Sequence, residues 1–94
     1  MRKLFWTPQA IEDRELIYTF IEVDSPNAAL ALDEKFTERS TCLMHHAELG
    51  RPGRVPGTRE WVVHSRYVMV YDVMPTQVRV LRLLHTARAP TDSD

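Results

Sequence analysis

Arg59, Tyr71, His85 and Arg88 are the residues of this chain whose types could perform chemistry together. Cleavage of an RNA phosphodiester needs a base for the 2′-hydroxyl, an acid for the leaving oxygen and cations on the phosphate. His85 and Tyr71 could move the protons, and Arg59 and Arg88 could hold the phosphate. Their order in the chain does not make them converge, and a histidine on a strand is ordinarily a packed or hydrogen-bonded structural residue. That plainer reading applies to both His64 and His85. His45 and His46 are adjacent, and neighbouring helical positions point about 100° apart. No cysteine or acid stands near them at metal-ligand spacing, so the reading includes no metal and no cofactor.

The stretch Gly50–Val63, GRPGRVPGTREWVV, raises a second chemistry, because it holds all three glycines of the chain and Arg51, Arg54 and Arg59. Glycines beside cations can cradle phosphate. A P-loop requires G-x-x-x-x-G-K-[ST], and a dinucleotide site requires G-x-G-x-x-G between a strand and a helix. This stretch matches neither and leads into a strand, so no helix N-terminus is supplied for an anion. A helix C-cap at Gly50 and turns at Pro52-Gly53 and Pro56-Gly57 account for its glycines and prolines.

Formal net charge is −1 over 94 residues, but it is unevenly placed. Up to Leu49 there are five lysines and arginines against nine acids. From Gly50 to Arg88 there are seven arginines, no lysine, and only Glu60 and Asp72 in opposition. Arginine suits planar, bidentate contact with carboxylate or phosphate better than lysine does. The basic half, Arg51, Arg54, Arg59, Arg79, Arg82 and Arg88, therefore points to an acidic protein segment or to nucleic acid. Such a complex should weaken as salt is raised. No apolar run approaches the roughly 20 residues of a membrane span, and the N-terminus lacks the apolar core of a signal peptide. The single cysteine, Cys42, cannot form an internal disulfide and reads as a small buried hydrophobe, which makes the cytoplasm the expected setting.

These residues need elements to position them. Lys3–Trp6 reads as a short strand. Thr7-Pro8 and Ser25-Pro26 each place a capping hydroxyl before a proline at the first helical position. The first helix runs to about Val23, with Ala10, Ile17 and Ile21, and Ile11 and Phe20 beside them, as its apolar face. Ala29, Leu32, Phe36 and Leu43 are the buried stripe of the second, which frays near Ser40-Thr41 or continues to about His46. TREWVVH, YVMVYDV and QVRVLRLLH then alternate with a period of two, separated by Ser65-Arg66 and Met74-Pro75-Thr76. The fold class is α+β, in the order β-α-α-β-β-β, with a helical hairpin on one face of a small curved antiparallel sheet. Residues 1–90 form one domain and 91–94 a polar, disordered tail.

In this order WTPQA, SPNAA, GRxGRxxGTREWVV and VLRLLHTAR resemble the RelE/ParE superfamily of toxins from type II toxin–antitoxin modules. The resemblance spans about Lys3 to Pro90. It implies a bacterial growth inhibitor neutralised by an antitoxin whose contact segment is acidic or partly disordered. RelE-like members cut mRNA in the ribosome, whereas ParE-like members are associated with poisoning DNA gyrase. The RelE-like central strand carries an arginine three residues before a tyrosine, and here that place is Val68, before Tyr71. Arg59 and Arg88 fall near two other RelE-like cations, while Trp61 replaces a third. The ending LLHTAR is similar to that of ParE-like members. The resemblance therefore implies a ParE-like toxin acting on gyrase by binding. The alternatives are a ribosome-dependent mRNA endonuclease or an inactive homologue.

Overall fold

The structure, a computed structural model, describes residues 1–86; Arg88, the 91–94 tail and the last residues of the 1–90 domain lie outside the described residues. Among the described residues, seven elements follow one another: β1 (Lys3–Trp6), α1 (Pro8–Glu22), α2 (Pro26–Cys42), β2 (Arg51–Pro52), β3 (Arg59–His64), β4 (Tyr67–Val73) and β5 (Gln77–His85). Both helices start where capping chemistry requires. The Thr7 hydroxyl accepts from the Ala10 N–H and donates to the Leu81 carbonyl, so one group caps α1 and ties it to the sheet. The Ser25 hydroxyl accepts from the Ala28 N–H, and Pro26 opens α2.

The helices pack as a hairpin on one face of the sheet. Ala10 from α1, Leu32 and Phe36 from α2, and Leu43 just beyond it meet Tyr67, Met69, Tyr71, Val78, Val80 and Leu83 in one buried cluster. The hairpin is locked by Arg14, which donates to the Asp33 carboxylate, the Asp33 carbonyl and the Thr37 hydroxyl, with its guanidinium 4.8 Å from the Trp6 ring centre. Ile11 and Phe20 do not join the core. Ile11 is exposed, and Phe20 stays 74 % exposed, whereas Ala10, Ile17 and Ile21 are the apolar residues of α1 that pack against the core. Cys42 is exposed at the end of α2 rather than buried.

The sheet order is β1-β5-β4-β3-β2. The three long strands form the expected antiparallel meander. β1, however, joins parallel to β5, with Trp6 opposite Val80 at its far end, so the sheet is mixed. Long-range chain direction causes this: the connection 43–58 carries the chain back across the sheet before β3, and β3 and β5 consequently run the same way as β1. Bulges at Val62/His64 and Val70/Tyr71 bend the two ladders.

Gly50 is not a helix cap, since α2 ends at Cys42. It lies beneath Tyr71, whose fully buried hydroxyl accepts from the Gly50 N–H at 2.7 Å and donates to the Ala47 carbonyl at 2.7 Å. A Cβ at Gly50 would stand 2.7 Å from that oxygen and 2.8 Å from the ring. The same residue's carbonyl accepts from Arg59 Nη1. Gly57, at φ +89, is the turn position that needs glycine for its backbone angle.

Two variants test this clamp. Tyr71→Phe strands a buried donor and a buried acceptor and should lower unfolding stability by about 2–3 kcal/mol. Gly50→Ala should cost a similar amount, and the double variant less than the sum, because removing the hydroxyl relieves the contact with the oxygen, leaving only that with the ring. Urea denaturation of the three variants measures the cycle, and strict additivity would refute the contact. Burial raises the Tyr71 pKa above 10.0, outweighing its bond to Gly50 and the charge of Arg59. The unfolded chain therefore ionises first, and the stability is complete below about pH 10 and lost as pH rises through the folded value. Denaturation between about pH 9 and about pH 11 should show this slope in the wild type and a shallower one in Tyr71→Phe.

Candidate functional site

β1 ends opposite Val80, but β5 continues to His85, so the second half of β5 has an edge that no strand among the described residues covers. Uncovered edges expose N–H and C=O groups and recruit other chains. Here α1 lies along the edge. Its Asp13 carboxylate accepts from Arg82 Nε at 2.7 Å, Arg82 Nη2 at 3.1 Å and the Leu83 N–H at 3.0 Å. One side chain thus caps part of the edge and pins an arginine to the helix.

Beyond Asp13 a groove remains between the helix and the strand. Leu16 and Phe20 stay exposed and stand beside Ile17, across from Leu83, Leu84 and His85, with Arg66 of the β3–β4 turn and Tyr67 of β4 at the end. The result is an open groove of about 740 Å³. Leu16, Phe20 and the equally exposed Val23 recur at the spacing of one helix face, so the apolar stripe continues outside the groove. Large exposed apolar side chains in a row mark a contact surface for another chain.

His85 lines the end of the groove, and Tyr67 beside it contacts both His85 and His64. Tyr67 meets Phe36 edge-on with ring centres 6.0 Å apart, His85 edge-on at 5.3 Å and His64 at 5.8 Å. His64 Nδ1 accepts from the Arg66 N–H at 3.1 Å. Burial, then the charges of Lys35 and Arg66, lower its pKa below 6.5.

The residues whose types suggested phosphodiester chemistry are placed apart. Arg59 and Tyr71 are opposite one another on β3 and β4, both bonded to Gly50. His85 is opposite Tyr67, four residues away along β4, about 13 Å at strand spacing. Tyr71 is fully buried with its hydroxyl engaged in both directions. Val68 is buried in β4, and Trp61 lies under the Arg39 guanidinium at 5.6 Å.

The arginines are also dispersed. Arg79 makes a bidentate pair with Asp72, and Arg82 pairs with Asp13; hydrogen bonding to the acid is the largest cause raising each guanidinium pKa. Arg51 lies 3.6 Å from Glu60, and the Arg54 backbone N–H donates to the same carboxylate. Only Arg82 of these reaches the groove, where Arg66 and His85 provide further polar rim. Reading the sequence missed Leu16, Arg66 and Leu84. The available signal was Leu16, an apolar residue lying off the Ala10–Ile17–Ile21 stripe.

Comparison with known proteins agrees with this architecture. Residues 4–90 match the family described as ParE toxin of type II toxin-antitoxin system, parDE. Toxin RelE2 of Caulobacter vibrioides is 32 % identical over 88 residues, covering 94 % of this chain and 99 % of that protein. Protein Y4kP of Sinorhizobium fredii is 29 % identical over 85 residues, covering 89 % and 88 %. A chain from the chromosomal ParDE toxin–antitoxin system of P. aeruginosa superposes with a TM-score of 0.79 at 26 % identity, over 90 % of this chain and 96 % of that one. The helical hairpin on a five-stranded mixed sheet is thus the fold of these toxins, and the chain belongs to the ParE toxin family of type II toxin–antitoxin systems.

Proposed function

We propose that the protein inhibits bacterial growth in the cytoplasm by binding DNA gyrase, and that its antitoxin neutralises it by occupying the groove between α1 and β5. The observation that supports binding over RNA cleavage is the condition of Tyr71. A general acid or base must present its hydroxyl to a substrate, whereas this one is buried and shared between Gly50 and Ala47. His85 and Arg59 stand at opposite ends of the β3–β4–β5 meander, about 13 Å apart along the strands, which favours binding over a shared cleavage site. Purified gyrase supercoiling at increasing protein concentration is the assay. Inhibition with accumulation of cleaved complex is expected, and its absence would sink the gyrase reading. In the same preparation, ribosome-bound mRNA should remain intact; cleavage abolished by His85→Ala would establish the nuclease instead.

The groove also changes what the antitoxin must bring. Arg79 and Arg82 already face carboxylates of their own chain, so apolar anchors on Leu16 and Phe20 carry more of the contact than cation pairing does. Anchors of this kind each contribute about 2 kcal/mol or more when buried at an interface centre. Phe20→Glu, at a residue exposed in the free protein, should leave unfolding stability unchanged and weaken the antitoxin complex at least about thirtyfold by calorimetry. Raising salt from about 0.05 to about 0.5 M should weaken it less than that. A stronger salt effect than variant effect would return the interface to Arg51, Arg54 and the other arginines.

A further inference from the structure

We propose that His64 is a proton-operated latch on the β3–β4 turn: neutral, its Nδ1 holds the Arg66 N–H and the end of the groove; protonated, it releases both. The consequence for a partner rests on the groove being the antitoxin site, but the latch is a property of the free protein.

The geometry dictates the direction. A backbone N–H can only donate, so the ring nitrogen 3.1 Å from the Arg66 amide must be the unprotonated, accepting nitrogen. Adding a proton there removes the acceptor and sets a donor against a donor. The groups facing the ring do not compensate. Lys35 of α2 and Arg66 of the turn both carry positive charge, and Tyr67 of β4 lies between His64 and His85 of β5. A charged His64 is therefore repelled from two sides while losing its bond.

The turn is joined to the groove by short links. The Arg66 carbonyl accepts from the Thr86 N–H at 2.7 Å, tying the turn to the residue after β5. Arg66, Tyr67, Leu84 and His85 are the walls at that end. When the Arg66 amide is freed, the same peptide segment that fixes Thr86 gains freedom, and the β5 end of the groove loosens with it. The folded state favours neutral His64, so its contribution is present above about pH 6.5 and lost as pH falls through the lowered folded value.

Amide hydrogen exchange by NMR on the free protein tests this at about pH 5 and about pH 7.5, corrected for intrinsic exchange. Protection at Arg66 should fall about fivefold on acidification, the worth of one hydrogen bond, with a smaller fall at Thr86. The methyl signals of Leu84 should shift along the His64 ring titration. His64→Asn supplies a side-chain carbonyl that accepts the same N–H without titrating, so its Arg66 protection should be independent of pH. His64→Ala should show the low protection at both pH values. His85 is retained in both wild type and His64→Asn, so its own effect cancels in the comparison. Wild-type protection that does not change with pH, or the same change in His64→Asn, would overturn the latch. Either result would leave the gyrase and antitoxin assays unaffected.

Discussion

The Asp13 carboxylate is the contact on which the functional half of the molecule depends. β1 covers β5 only as far as Val80, and something must satisfy the edge that continues past it. Asp13 does so at the Leu83 N–H while holding Arg82 in a two-point ion pair. Together with the Thr7 hydroxyl on the Leu81 carbonyl, it fixes the first turns of α1 close to the strand. Leu16 and Phe20 lie beyond this tether and are not drawn down. The groove exists because Ile17 and Ile21 pack inward while Leu16 and Phe20 stay on the exposed side of α1. Removing Asp13, itself part of the groove wall, would leave Arg82 without its acid and an edge N–H without a partner.

Much of the fold was legible because it rests on local chemistry. A hydroxyl before a proline starts each helix at Thr7 and Ser25, and those two caps mark the helix starts correctly. Alternation and the two turns locate β3, β4 and β5 within a residue. What local pattern could not give was anything set by distant residues. The parallel pairing of β1 depends on where the 43–58 connection deposits β3. The reason for glycine at position 50 is a tyrosine 21 residues later, so the nearby turn chemistry suggested a helix cap instead. Cys42 reads as buried by residue type, yet its place in the last turn of α2 leaves it in solvent.

The site was less legible for a related reason. The residue types that suggested nuclease chemistry were chosen for what they can do in isolation, and Tyr71 does structural work in the core. Periodicity on α1 found the stripe that meets the sheet, but Leu16 and Phe20 form a neighbouring stripe that sequence could not separate from it. Charge was similarly ambiguous. The acidic first half and basic second half suggested attraction to an outside partner, but Asp13 and Arg82 show that part of this attraction is satisfied within the chain, across 69 positions.

That internal pairing has a consequence for how one small surface serves an assembly. Ion pairs already made at Arg79 and Arg82 cannot be offered to a partner without first being broken, and exchanging one carboxylate for another gains little. Apolar area at Leu16 and Phe20 is different, because burying it removes it from water with nothing to displace. Affinity should therefore concentrate on the groove floor and the α1 stripe, while Arg66 and His85 at the rim set orientation. A rim anchored to the β3–β4 turn makes orientation depend on how firmly that turn is held. The bond from the Arg66 amide to His64 is then more than a detail of turn geometry: it links a titratable acceptor at the end of β3 to the groups at the end of the groove.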